Sequence, residues 1–327
     1  MLGSLKFPFY FNFWRRYIRE ILKSEKIDVI HVHDLPLAKV GIEFRDKHNL
    51  KMVLDLHENW PAFLEVSQHT QTVLGRILSS GKQWRTYEKK CCSQADAVIA
   101  VVQEMKVRII NTGIEPLKIF VLENTPWLKE TKKKKDRNPN GIIALIYIGG
   151  ITFHRGIQYV LEGLTLIKNK FKVKLIIAGD GRYLRNLKDL SSVLGLISDI
   201  VEFTGNVAKP MAEQLMSGSD IALIPHIRSE QTDNSSPNKL YDYMSAGLPI
   251  MASDCLSIKR ILNETGAGVT YTYNSPEDFA EKLDLLINNN DLMQKMGENG
   301  IAAFHNKYNW EDSSIELKRI YSLLENG

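Results

Sequence analysis

The segment SSPNKLYDYMSAGLPIMASD (235–254) places a lysine and an aspartate three positions apart. Ser235 or Ser236 suits a helix cap, Pro237 suits the first helical position, and Gly247 followed by Pro249 suits the end. On such a helix Lys239 and Asp242 share one face near its start. Unpaired amides, the positive end of the helix dipole and an ammonium together form an anion site suited to a phosphate or diphosphate. Asp242, one turn deeper, is placed to accept hydrogen bonds from paired ribose hydroxyls. The plain alternative is an exposed ion pair worth about 0.2–0.5 kcal/mol. The residues by themselves leave both readings open.

A second group of residues is YIGGITFHRG (147–156). An apolar strand runs into Gly149 and Gly150, and Arg155-Gly156 opens the next helix. Glycines let backbone approach a phosphate closely, and arginine supplies a planar fork for its oxygens. AGDG (178–181) and FTG (203–205) put Gly181 and Gly205 after further strands, where a nucleotide base could lie. Each glycine turn alone is also ordinary turn chemistry. A third group is His33-Asp34 and His57-Glu58, each after a strand, the place where parallel sheets hold ligands. Polar residues simply closing strand ends would look the same. No third ligand is spaced to make a metal site with these histidines, and the expected metal set is none. Neither a Gly-x-Ser-x-Gly nucleophile turn nor a P-loop occurs.

Strands and helices alternate around these residues. Apolar β-branched runs at 27–33, 51–57, 95–101 and 119–124 predict four strands in the first half, with helical stretches between them and a long helical region over 68–94. The alternation restarts at 142–148 and continues with strands at 173–181, 200–205, 221–225 and 248–253. Short strands buried on both faces and separated by helices predict parallel sheets covered by helices. Ile157, Val160, Leu161, Leu164 and Ile167 form one helical stripe. Ser275-Pro276-Glu277-Asp278 reads as a capped helix start. The expected organisation is an α/β domain over 1–130, a solvated basic linker TKKKKDRNPNG at 131–141, a second α/β domain over 142–308, and a closing helix over 309–327 that could pack back on the first domain. The cleft between two such halves is the default ligand site.

Composition bounds the rest. The 327 residues are 44% hydrophobic and 24% charged, ordinary values for a folded chain of two domains. A net charge of +4 gives no case for nucleic-acid binding. Three cysteines, two of them adjacent, read as reduced buried thiols, which suits a cytoplasmic protein. No apolar run reaches the length of a membrane span. The opening segment is aromatic and basic, with Trp14, Tyr17, Ile18, Ile21 and Leu22 at helical spacing and Arg15, Arg16, Arg19 and Lys23 mostly on the other face. It reads either as an ordinary domain helix or as a helix resting on an anionic membrane, on the inner face of the plasma membrane.

The order YIGG…HRG, AGDG, FTG, SDIALIP, SPNKLYDYMSAGLPIMASD and a closing YNW resembles the family 4 glycosyltransferases of the GT-B fold, with two Rossmann-like domains facing across a cleft. IDVIHVHDL, VLDLHENWP, the ADAVIAV strand and VLENTP resemble the later part of that family's first domain. The resemblance covers nearly the whole chain. It implies a retaining sugar transfer from a nucleotide-diphosphate sugar to a hydroxyl of a glycan or lipid-linked acceptor, in surface polysaccharide synthesis. It implies no metal and no other cofactor, because basic side chains neutralise the leaving diphosphate. By resemblance the catalytic residues are His57 beside the transferred sugar, and Arg155 and Lys239 on the diphosphate. The implied donor-binding set is Gly149, Gly150, Gly181, Gly205, Asn234, Ser236, Pro237, Asn238, Lys239 and Asp242.

Three departures accompany the resemblance. The first carboxylate of the family's E-x7-E pattern is Asn234 here, with Asp233 beside it. Gly150 stands where a basic residue often follows the strand glycine, which leaves that duty to Arg155. The family opens with a strand, a Gly-rich turn and further strand–helix units before the one matched at Ile27, so the first domain is expected to be incomplete. A non-catalytic nucleotide-sugar-binding remnant is the rival reading; it differs in turnover rather than in donor binding.

Overall fold

The structure, a computed structural model, describes residues 7, 9–66, 79–129, 141–196 and 199–326. The chain divides into two compact units, Met1–Asn124 with Ser313–Gly327, and Thr125–Asp312. All of the basic linker except Gly141 lies outside the described residues.

In the first unit, strands β1 (Val29–His33), β2 (Lys51–Leu56), β3 (Ala97–Ala100) and β4 (Ile119–Val121) form a sheet in the order β1-β2-β3-β4. Every pairing is parallel. β2 and β3 are buried almost throughout, which explains their near-continuous apolar sequences. Helices Ala38–His48, Gly81–Gln94 and Gln103–Asn111 pack Ile42, Cys91, Cys92, Met105 and Ile109 into one core with Met52, Leu54 and Val98. Of the helical region predicted over 68–94, the described part is the helix Gly81–Gln94. Ser80 caps this helix, accepting from the Gln83 amide while the Gln83 side chain accepts from the Ser80 amide. Residues 67–78 lie outside the described residues.

The second unit has six strands: β5 (Ile143–Ile148), β6 (Val173–Ala178), β7 (Val201–Gly205), β8 (Ile221–Ile224), β9 (Ile250–Ser253) and β10 (Gly268–Tyr271). Their order is β10-β9-β8-β5-β6-β7, all parallel. Counted from β5, this is the doubly wound order 3-2-1-4-5-6, and its direction reverses between β5 and β8. β10 was not anticipated from the sequence. Only its last residue, Tyr271, is buried, so it lacks the apolar run that marked the others. The stripe Ile157, Val160, Leu161, Leu164 and Ile167 is buried as expected on helix Ile157–Ile167. Ser275 accepts from the Asp278 amide and Pro276 opens the next helix, also as expected.

The opening helix, Asn12–Ser24, buries no residue. Phe13, Trp14 and Tyr17 are exposed, whereas Ile18, Ile21 and Leu22 are half-buried. A two-pronged ion pair from Arg15 to Glu43 ties it to helix Ala38–His48, at 2.6 and 3.0 Å. Ile18, Ile21 and Leu22 line an apolar groove with Ile30, Val32 and Val40. No described helix is long and apolar enough to cross a membrane.

Candidate functional site

The reversal of strand order in the second unit leaves a crevice beyond the carboxyl ends of β5 and β8, where doubly wound sheets bind ligands. Four loops meet there, and glycine is what lets them meet. Gly149, after β5, has φ +136°; a side chain on Gly179 would fall 2.0 Å from the Gly149 carbonyl oxygen. Gly156 has φ +68°, and its missing Cβ would stand 1.8 Å from the Pro225 oxygen, after β8. Backbone bonds fix the stack: the Gly149 amide donates to the Ala178 carbonyl, the Gly179 amide to Gly205 and the Ile151 amide to Asp180. The Gly-rich turns are therefore one assembled floor rather than separate turns.

Two cations stand on this floor. Lys239 begins helix Lys239–Ser245, and its ammonium lies 3.9 Å from the centroid of the Tyr147 ring. Nζ is buried and makes no hydrogen bond. Burial first, and then the charge of Arg155, push this ammonium well below its ordinary pKa. Arg155 Nη1 lies 3.0 Å from His226 Nε2. Since the guanidinium can only donate, the histidine must be neutral and protonated at Nδ1. Burial, Arg155 and Lys239 in that order hold its pKa well below the usual range, in agreement. No carboxylate pairs with either cation among the described residues, so the pocket is positive and uncompensated. Tyr147 serves both sides: its ring faces the ammonium, and its hydroxyl donates to the Gly150 carbonyl at 2.8 Å, while burial pushes its own pKa up to about 12.

The cap expected at Ser235 or Ser236 is not formed. Ser235 donates to the Gln231 carbonyl, and Ser236 bonds the Tyr241 hydroxyl at 2.8 Å. Asn238 occupies the cap position with helical dihedrals and no side-chain bond, and Pro237 precedes the helix. The two serines are engaged instead by the preceding turn Glu230–Asp233 and by the buried Tyr241. Gly247 does close the helix at φ +65°, and the Leu248 amide returns to the Tyr243 carbonyl. Asn234 is buried, and its amide donates to the Glu230 carbonyl at 2.7 Å. The adjacent Asp233 is committed to Arg228 and to the amide of Leu256. Asp242 is about two-fifths exposed and has Lys129 Nζ 3.6 Å away. Gly205 borders open space.

In the first unit His57 stands just after β2, within a cluster that the sequence spacing did not reveal. His33 pairs with Asp55 in the β1–β2 register. Residues two apart on a strand share a face, so His31, His33, Asp55 and His57 all project to the same side. Asp55 is buried, and its Oδ2 lies 3.4, 3.4 and 3.5 Å from nitrogens of His31, His33 and His57. His33 Nδ1 and His57 Nε2 are hydrogen-bonded at 2.8 Å. Asp34, next to His33, holds φ +65° and ψ 151°, a conformation costly for any residue but glycine. The reading that no third metal-binding group accompanies the histidines is therefore corrected: His31, His33 and Asp55 converge. The usable signal was the alternation in HVH and DLH, polar residues at every second place in strands that should be wholly apolar.

Comparison with known proteins bears on both units. Residues 129–303 match the family of glycosyl transferases group 1, and residues 2–125 match Glycosyltransferase Family 4. An uncharacterized glycosyltransferase of Methanocaldococcus jannaschii is 23% identical over 317 residues, 93% of this chain and 77% of the relative. Sucrose-phosphate synthase of Thermosynechococcus elongatus superposes with a TM-score of 0.80 at 15% identity, over 96% of this chain and 77% of that one. HepE of Anabaena, in complex with UDP, gives 0.73 at 15% identity, over 95% and 82%. The order of parallel strands, the glycine floor and these matches together place the chain in the glycosyl transferases group 1, as a glycosyltransferase of the GT-B type.

Proposed function

We propose that the protein transfers a sugar, with retention of configuration, from a nucleoside-diphosphate sugar to a hydroxyl of a glycan or lipid-linked acceptor in surface polysaccharide synthesis. The observation that carries the donor assignment is the buried, unbonded ammonium of Lys239 beside Arg155, over backbone that only glycine permits. A diphosphate supplies the missing negative charge. The UDP complex of the HepE neighbour supports a donor of this class. In this reading Arg155 and Lys239 stabilise the leaving diphosphate by preorganised charge, with one such donor worth about 3–4 kcal/mol in the transition state. Asp242, on the same short helix as Lys239, holds the ribose hydroxyls. The base lies toward Gly181 and the open space at Gly205. Asn234 orders the loop through its bond to Glu230 instead of supplying a carboxylate. His57, backed by His33 and Asp55, stands beside the transferred sugar. Turnover needs no divalent cation, since two side-chain cations occupy the place of one.

The exposed Phe13, Trp14 and Tyr17, with Arg16, Arg19 and Lys23 on the same helix, suit contact with the anionic inner face of a plasma membrane, where lipid-linked acceptors lie. The reaction is tested by incubating the chain with UDP- and GDP-sugars and following the anomeric proton of the product by NMR, with and without EDTA. An α-linked donor should give an α-linked product, with no loss of rate in EDTA. An inverted product, or a rate abolished by EDTA and restored by magnesium, refutes the reading. Donor binding without any transfer or hydrolysis would favour a non-catalytic binding protein.

A further inference from the structure

The histidine cluster of the first unit does more than orient His57. One ligand atom from each of His31, His33 and Asp55 lies within 4.8 Å of the other two; His31 Nε2 and His33 Nδ1 are the nitrogens that face Asp55 Oδ2. Both nitrogens are 3.4 Å from the carboxylate oxygen. That is too long for good hydrogen bonds. It is the spacing of ligand atoms around a tetrahedral ion: zinc bonds of about 2.0–2.2 Å put neighbouring ligand atoms roughly 3.3–3.5 Å apart. The groups are also prepared for an ion. The other nitrogen of His31, Nδ1, is bonded to the Tyr321 hydroxyl at 2.8 Å, the outer partner that fixes a ligating imidazole and points its second nitrogen inward. Asp55 is buried, a costly place for a carboxylate unless a positive charge faces it. The His33 side chain is 62% exposed, which leaves a path for entry from solvent.

We propose that His31, His33 and Asp55 form a site for a divalent transition-metal ion of the zinc class, with the fourth position open to solvent. The ion takes the Nδ1 lone pair of His33, so the hydrogen bond between His33 and His57 is lost when it binds. Its ligands belong wholly to the first unit, whereas Lys239 and Arg155 belong to the second, and the proposal stands independently of the donor reading. Where His57 acts beside the sugar, occupancy would lower turnover.

The test titrates the untagged, metal-free chain with zinc by calorimetry, alongside His31→Gln, His33→Gln and Tyr321→Phe. One zinc per chain is expected. His31→Gln and His33→Gln should each weaken binding at least 10-fold, and Tyr321→Phe about 10-fold, the usual effect of losing an outer partner. X-ray absorption should show only nitrogen and oxygen neighbours at about 2.0–2.2 Å. Zinc should raise the melting temperature of the wild type and much less that of His33→Gln. Because His33 is largely exposed, that variant should fold even where His31→Gln does not. Unchanged affinity in His33→Gln, or sulfur neighbours from Cys91, Cys92 or Cys255, would overturn the assignment.

Discussion

Replacing Lys239 by methionine separates the two things its ammonium does. Methionine keeps most of the volume against Tyr147 but carries no charge. In the ligand-free protein the ammonium is buried without a hydrogen bond. An unsatisfied buried polar group costs about 1–3 kcal/mol, more when charged. The contact with the Tyr147 ring, 3.9 Å to the centroid, offsets part of that, by up to about 2 kcal/mol. Lys239→Met should therefore stabilise the free protein by about 1 kcal/mol, a rise of roughly 2–4 °C in Tm if the unit Thr125–Asp312 melts by itself and about 1.5 °C if the whole chain melts together. The same change removes a charge-assisted bond to the diphosphate worth about 1.5–3 kcal/mol, so nucleoside diphosphate should bind roughly 10- to 150-fold more weakly. pH gives an independent signature. The folded pKa of Lys239 lies well below its ordinary 10.5. Between the two values the unfolded chain binds more protons, so stability rises with pH through that window. Diphosphate needs the ammonium, so affinity falls as pH rises through the folded pKa. Both trends should vanish in Lys239→Met, and the affinity trend should flatten in Lys239→Arg, whose guanidinium stays charged. Scanning calorimetry and titration with UDP and GDP read these quantities. A destabilised Lys239→Met, or unchanged affinity, would refute the picture of an ammonium held in reserve for an anion.

Two further outcomes are expected. Asp242→Asn removes the charge offered to the ribose, so deoxyribose donors should bind the wild type more weakly yet lose little more in the variant; fully additive losses in a double-mutant cycle would rule out the contact. Trp14 is exposed, so Trp14→Ala should cost well under the roughly 3 kcal/mol typical of a buried tryptophan, while vesicles with anionic lipid should retain less of the variant in sedimentation; a loss of 3 kcal/mol with unchanged vesicle binding would make it a packing residue instead.

Much of the fold was readable along the chain. Nine of the ten described strands announced themselves as short apolar runs, because a strand covered by helices on both faces has no polar side to alternate with. The helix at Ile157–Ile167 and the cap at Ser275 were legible for similarly local reasons: a 3.6-residue stripe and a hydroxyl three residues before the amide it bonds. Lys239 and Arg155 were found because each stands beside a helix start. Local signals failed where two segments compete for one side chain. Ser235 and Ser236 have the right chemistry for a cap, but Gln231 and Tyr241 claim them. Only the folded chain brings together residues far apart in sequence. The strand order that makes a crevice between β5 and β8 follows from packing, and so does the approach of Gly156 to Pro225. The same holds for the meeting of Arg155 with His226. It holds again for the parallel register that sets His33 opposite Asp55, with Tyr321 from the far end of the chain behind His31. The sequence determined which residues carry charge and which strands are buried. Tertiary structure decided that Lys239 would have no counter-ion and that Asp55 would have three imidazoles, because burial, which sets the cost of a charge, is a property of neighbours and not of residue types.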